Sequence, residues 1–308
     1  MAKLAAQKEP AKGLVIAAFA ALYIIWGSTY LGVLLAIKSI PPLFMAGARF
    51  LVAGILLWAW CLFRGEKMPT LNSVLTISVG GILMLFVGTG AVAYSEQYLP
   101  SGIAAIVVAT VPLWFVLLDK RHWKTNFSNK KIILGLLLGF IGVLLLFAGK
   151  RDASGNGNHM RIISFIILIV GTIGWAIGSL YSKYKEVEGS TTFKAAIQMT
   201  TAGIVSIIAG FCVGEYALFN WQQVTPTSIG ALVYLILLGS LVGYISYIWL
   251  LSVRPATLVG TYAYVNPVVA VFLGWLVVSE PITRQQVMAL CIVLIGVLLV
   301  NFSGSKNE

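Results

Sequence analysis

The sequence predicts an all-α, polytopic membrane protein: ten transmembrane helices built as two inverted five-helix repeats. Three observations predict it. The 308-residue chain is 59% hydrophobic and only 10% charged, whereas a soluble domain carries roughly 25% charged residues. Its apolar residues form long runs broken by short polar clusters, without the period-two alternation of a membrane β-barrel. The second half also repeats the first. Pro100 and Pro112, in YLPSGIAAIVVATVPLW, return 155 residues later as Pro255 and Pro267 in VRPATLVGTYAYVNPVV. IGVLLL from Ile141 returns as IGVLLV from Ile295, and Gly27-Ser28-x-Tyr30 as Gly178-Ser179-x-Tyr181. A duplicated unit with an odd number of spans inserts its second copy upside down, the architecture of alternating-access carriers with a site near the midplane. The repeats fall at 1–149 and 162–308, joined by a Gly/Asn-rich linker at 150–161.

Each element follows from the pattern. Span 14–36 is too long for a signal-peptide core and lacks a convincing cleavage site, so it is read as a retained helix. It places Trp26, Ser28, Thr29 and Tyr30 mid-membrane. Span 43–63 holds Arg49, the one clearly intramembrane charge, about two turns from the helix end. A lone charge at that depth requires a partner or water. Arg49 reads either as a clamp for a substrate carboxylate, or as a structural arginine that snorkels, bonds helix carbonyls or pairs with Glu96. Span 73–97 carries Glu96 at its outer end. Span 101–119 opens on Pro100, where proline is tolerated, and carries Pro112 about eleven residues in, where it kinks a helix and could serve as a hinge. Span 131–148 contains Gly135-x-x-x-Gly139 with Gly142, a close-packing signature that favours internal contacts over dimerisation.

The second copy follows suit. Span 162–182 carries Gly174-x-x-x-Gly178, Trp175, Ser179 and Tyr181. Span 192–213 is followed by 228–251, with Tyr244 and Tyr247. Span 256–278 opens after Pro255 and carries Tyr262, Tyr264, Asn266 and the second hinge candidate, Pro267. Span 285–303 closes the unit. Tyr and Trp normally gather at membrane interfaces. Mid-span, a tyrosine hydroxyl needs a bond or a cavity. A set drawn from several helices of both repeats points to a cavity lining, although interhelical hydrogen bonding would explain any one member. Tyr262 and Asn266, four apart, share a helix face from which Tyr264 points away. Asn266 both donates and accepts, which makes it the strongest single candidate.

The net charge of +11 does not mark a nucleic-acid partner. Placing the N-terminus in the cytoplasm puts 15 Lys and Arg on that side, five of them within 120–131, and 5 on the other. The positive-inside rule then sets both termini in the cytoplasm. Cys61, Cys212 and Cys291 sit in different spans, so neither a disulfide framework nor a metal site is expected. No His, Asp or Glu lies near the middle of a span. That argues against tight ion coupling, intramembrane proteolysis and metal chemistry, and no cofactor is expected.

The ordered motifs resemble the EamA type of the drug/metabolite transporter superfamily. The residues carrying the resemblance are Trp26-Gly27-Ser28-Thr29-Tyr30, Arg49-Phe50, Pro100-Ser101-Gly102 through Pro112, Ile141-Gly142, Gly178-Ser179, Asn266-Pro267 and Ser279-Glu280-Pro281. The resemblance covers nearly the whole chain. It implies a ten-helix secondary carrier of the bacterial inner membrane that exports small metabolites such as amino acids or amphipathic compounds. The expected partners are a small-molecule substrate and the lipid bilayer, and a monomer suffices. Two readings compete: a membrane enzyme acting on a lipid-linked substrate, for which no acid/base set is visible, and a non-transporting membrane subunit.

Overall fold

The computed structural model describes residues 11–147 and 155–304. It is all-helical, with no strand among the described residues. The long helices are α1 Lys12–Ala36, α2 Pro42–Phe63, α3 Leu71–Ser95, α4 Ser101–Leu118, α5 Lys130–Phe147, α6 Gly155–Tyr184, α7 Thr191–Cys212, α8 Pro226–Val253, α9 (Ala256–Val259 continuing as Tyr262–Val278) and α10 Arg284–Gly304. Seven of them, α1 to α4 and α6 to α8, are long and apolar enough to cross a membrane. α9 and α10 contribute the shorter apolar stretches Val265–Val278 and Arg284–Val300.

Local chemistry sets the starts. Pro42 opens α2, and Pro100 and Pro255 sit just before α4 and α9, where a missing N–H costs nothing. Thr70 accepts from the Ser73 N–H at the head of α3, and Thr225 from the Ser228 N–H at the head of α8. These are matching N-caps at equivalent places in the two halves.

Two expectations change. The segment 150–161 is not a loop throughout, because α6 already begins at Gly155. A helix that leaves an apolar layer can continue in polar residues, and composition weighs less than an established helix behind it. The remainder of that linker lies outside the described residues. The prolines also do not act alike. α4 is interrupted at Ala109–Thr110, and Pro112 sits in the first turn of its second segment, Val111–Leu118. α9 is interrupted at Gly260–Thr261, whereas Pro267 lies within the continuous helix that follows. Thr110 and Thr261 each donate a hydroxyl three residues back, to Val107 O and Leu258 O at 2.7 Å, and so stabilise the two breaks alike.

The packing repeats too. α2 lies along α7, α5 along α10 and α4 against α9; α3 runs beside α6 as α8 runs beside α1. Exchanging the halves reproduces the same pairings. Glycines bring these helices close, as the small-residue spacing implied. Gly135 and Gly296 face each other's backbone between α5 and α10, and Gly174 and Gly178 face α3. The outward faces are apolar: Val52, Ile55, Leu56, Trp60 and Phe63 form an exposed stripe on α2. Its opposite face buries Ala46, Phe50, Ala53, Leu57 and Cys61. Such a surface suits lipid and not water.

Candidate functional site

One central cavity of about 80 Å³ lies where α1, α2, α3, α4, α6, α8 and α9 meet. Its wall combines Trp26, Thr29 and Tyr30 of α1 with Arg49 of α2, Thr89 of α3, Thr172 and Trp175 of α6, Ser240 and Tyr244 of α8, and Tyr262 and Asn266 of α9. Both halves of the chain contribute. On α1 the lining runs from Trp26 to Val33, and on α3 from Leu85 to Val92, toward the C-terminal ends of both helices.

Three helices reach the cavity through π-type turns: Leu22–Trp26 in α1, Ile82–Thr89 in α3 and Leu235–Tyr244 in α8. Such wide turns are rare and recur at functional sites. Here they leave backbone carbonyls to side chains. Trp26 Nε1 donates to Gly239 O at 3.1 Å. The Asn266 amide nitrogen, oriented by its surroundings, has three carbonyl acceptors for its two hydrogens, Tyr262 O, Tyr23 O and Leu22 O at 3.1–3.2 Å. Asn266 therefore lines the cavity and also ties α9 to α1. Glycine permits close approach at two positions of the α8 turn. A Cβ on Gly243 would collide with the Trp26 indole, and one on Gly239 would lie 2.9 Å from Arg49 Nη2.

An aromatic cluster closes the other end of the cavity. Trp26 packs on Tyr247 and Tyr262, each with ring centroids 5.1 Å away, and on Trp175 at 5.5 Å. The buried hydroxyl of Tyr247 joins Trp175 Nε1 at 3.1 Å and Ser179 Oγ at 2.7 Å. Tyr244 donates to Gln198 Oε1 of α7 at 2.9 Å. The indole N–H groups of Trp26 and Trp175 and the hydroxyls of Ser179, Tyr244 and Tyr247 all have partners, as burial demands.

Arg49 is 6% exposed; its Nε donates to Ser240 Oγ at 2.9 Å, and its guanidinium sits over the Phe50 ring at 5.0 Å. It does not pair with Glu96. The His122 Nδ1 contact with Asp119 Oδ2, at 2.9 Å, lies beyond the end of α4.

Three candidates from the sequence lie elsewhere. Ser28 turns back to Ile24 O and Ile25 O and meets Tyr234 of α8. Ser179 lies behind the cluster, bonded to Trp175 O and Tyr247. Tyr181 lines a separate small pocket with Lys194 and Gln198. Each left the site because helical neighbours two or three apart face different directions. The side chain of Tyr264 lies outside the described residues. Sequence reasoning missed Phe50, Thr89, Thr172 and Ser240 as lining residues. The three hydroxyls were visible as polar residues within apolar runs, but nothing local distinguishes a cavity-facing hydroxyl from one bonded back along its own helix. No group of three His, Cys, Asp or Glu among the described residues could hold a metal ion.

The EamA-like transporter family matches twice, at residues 12–148 and 162–302. The "Uncharacterized inner membrane transporter YedA" of Escherichia coli K12 is 41% identical over 91% of this chain and 88% of its own length. The "Probable amino-acid metabolite efflux pump" of Salmonella typhimurium is 24% identical over 92% of this chain and 93% of its own. A solved structure titled "Crystal structure of protein" superposes with a TM-score of 0.65 at 16% identity, covering 97% of this chain and all of that one. At that identity the likeness speaks for the fold alone.

Proposed function

Because the chain belongs to the EamA-like transporter family, we propose that it is a multi-pass inner-membrane carrier that moves a small metabolite through the central cavity by alternating access. The observation that carries this reading is the cavity itself: one largely apolar and aromatic space with a few polar groups, lined by elements of both halves, inside a bundle whose outer faces are apolar. Rocking of one half against the other would open it alternately. The exchangeable helix pairings, the matched Thr70 and Thr225 caps and the paired breaks in α4 and α9 support ten spans with the second five inverted. The charge distribution supports both termini in the cytoplasm. In that orientation the cavity reaches toward the outer face and the aromatic cluster seals the inner side.

The substrate-binding set is Trp26, Thr29, Tyr30, Arg49, Trp175, Tyr244, Tyr262 and Asn266. Arg49 would meet an anionic group of the cargo, and the indole and phenol rings its apolar body. The Salmonella relative's name favours amino-acid metabolites as the first cargo to assay. The breaks before Pro112 and Pro267 are the flexible points of α4 and α9. The cavity requires no catalytic group, so the reading is of a carrier and not an enzyme. The test is counterflow of radiolabelled amino acids in proteoliposomes. Accumulation abolished by Trp26→Ala and Arg49→Gln supports the proposal. A correctly folded, oriented protein that exchanges none of a broad panel of amino acids, organic acids and amphipathic cations would defeat it.

A further inference from the structure

Glu96 stands at the C-terminal cap of α3, one residue beyond the span, and is 3% exposed. Neither of its carboxylate oxygens has a hydrogen-bond partner. Buried polar groups in folded proteins are nearly always bonded, so this one requires an explanation. The adjacent Ser95 is committed elsewhere. Ser95 donates to Ser164 O of α6 at 2.9 Å, and the buried Ser164 hydroxyl is itself unpartnered.

The elements around this turn bring few charges that could help. α1 offers Tyr30, which lies within electrostatic reach of Glu96. Arg49 of α2 is bonded to Ser240 and makes no ion pair with Glu96. α6 carries His159 and Arg161 at its outer end, and Arg161 has interactions of its own. The α9–α10 connection brings Glu280, whose oxygens already accept from Ser101 N, Ser101 Oγ and Gly102 N. Glu280 adds a like charge. The C-terminus of α3 adds the negative end of a helix dipole. An ionised carboxylate in this position is buried with neither a hydrogen bond from the protein nor a counter-charge, at a cost of several kcal/mol. The neutral acid avoids that cost.

Val92, one turn before Glu96, lines the cavity, as does Tyr30. Anything that opens the cavity past this turn reaches Glu96. We propose that Glu96 is a proton-binding site linked to opening of the outer mouth. In the closed arrangement the carboxyl O–H is intact. When the end of α3 opens to water, the O–H bond breaks and the proton passes to outside water, leaving a hydrated carboxylate. A carrier built this way exchanges a proton with the medium in each cycle, without any carboxylate at mid-membrane. The proposal rests on the carrier reading but not on the cargo's identity.

The test uses full-length protein in lipid and two readouts. First, the infrared difference between wild type and Glu96→Gln at neutral pH should contain the carbonyl stretch of a protonated carboxylic acid. Its absence overturns the proposal. Second, Val92→Cys and Gln97→Cys are compared in a chain whose three native cysteines are replaced. Gln97 is exposed and reports thiol ionisation alone. The ratio of their rates with an impermeant maleimide should rise severalfold from about pH 6 to about pH 8.5, by at most tenfold per unit. Glu96→Gln should flatten it. An equal slope in the Glu96→Gln background, or a flat ratio in wild type, overturns the linkage. So does a Glu96→Gln chain that fails to fold, because a neutral isostere should occupy this site without strain.

Discussion

Gly135→Ala should destabilise the protein although it adds one methyl to a helix. The added Cβ would lie 2.5 Å from Gly296 O, 2.8 Å from Val300 Cγ2 and 3.2 Å from Leu299 Cβ. The first contact is the backbone of the facing helix, which cannot rotate away. Ordinary contact begins near 3.4 Å, so α5 and α10 must separate by most of an ångström. A gap of 0.5–1 Å forfeits roughly a quarter to a half of each dispersion well along the seam. Overpacking of this kind costs about 1–3 kcal/mol, against about 1 kcal/mol returned by the better helix propensity of alanine. The difference is a net loss of about 1 kcal/mol, and at most about 2. Gly230→Ala in α8 is the control: its Cβ would meet nothing within 4 Å, so only the propensity gain remains. Gly296→Ala pushes on the same seam, and the double variant should cost less than the sum of the singles. Reversible denaturant titration of purified protein in mixed micelles measures all four. The reasoning fails if Gly135→Ala matches wild type, or if Gly230→Ala is equally damaging.

Four further outcomes are expected. Tyr247→Phe leaves Trp175 Nε1 and Ser179 Oγ without their shared partner and should cost about 1–3 kcal/mol in the same titration; Tyr23→Phe, which loses one half-buried bond to Thr261, should cost less. Arg49→Gln should weaken an anionic cargo about 10-fold or more in thermal-shift titration, because a charge-assisted bond contributes about 1.5–3 kcal/mol, while Arg49→Lys restores part of it. Gly243→Val should displace the Trp26 indole and abolish exchange with unaltered membrane insertion, read by counterflow and quantitative immunoblot. In a cysteine-free chain, Gln222→Cys should react with impermeant maleimide on intact cells and Ser128→Cys only after lysis; the reverse order would invert the topology.

The sequence by itself determined that the chain is helical and bound for a bilayer, because apolar composition and run length are additive properties that need no neighbours. It also carried the duplication, because matched prolines, glycines and motifs survive as letters. The candidate site was partly legible for the same reason: tryptophans, tyrosines, an arginine and an asparagine in apolar runs are conspicuous wherever they point. Direction was not legible. Trp26, Thr29 and Tyr30 reach the cavity, whereas Ser28, between them, bonds away from it. The π-type turns of α1, α3 and α8 re-aim the residues that follow them, and no local signal announces them. Only tertiary packing decided that Gly239 and Gly243 admit Trp26 and Arg49, and that Tyr247 joins the two halves. Packing likewise buried Glu96, which the sequence places only at a helix end. Burial and partnership belong to pairs of segments far apart in the chain, and a single segment does not encode what it will meet.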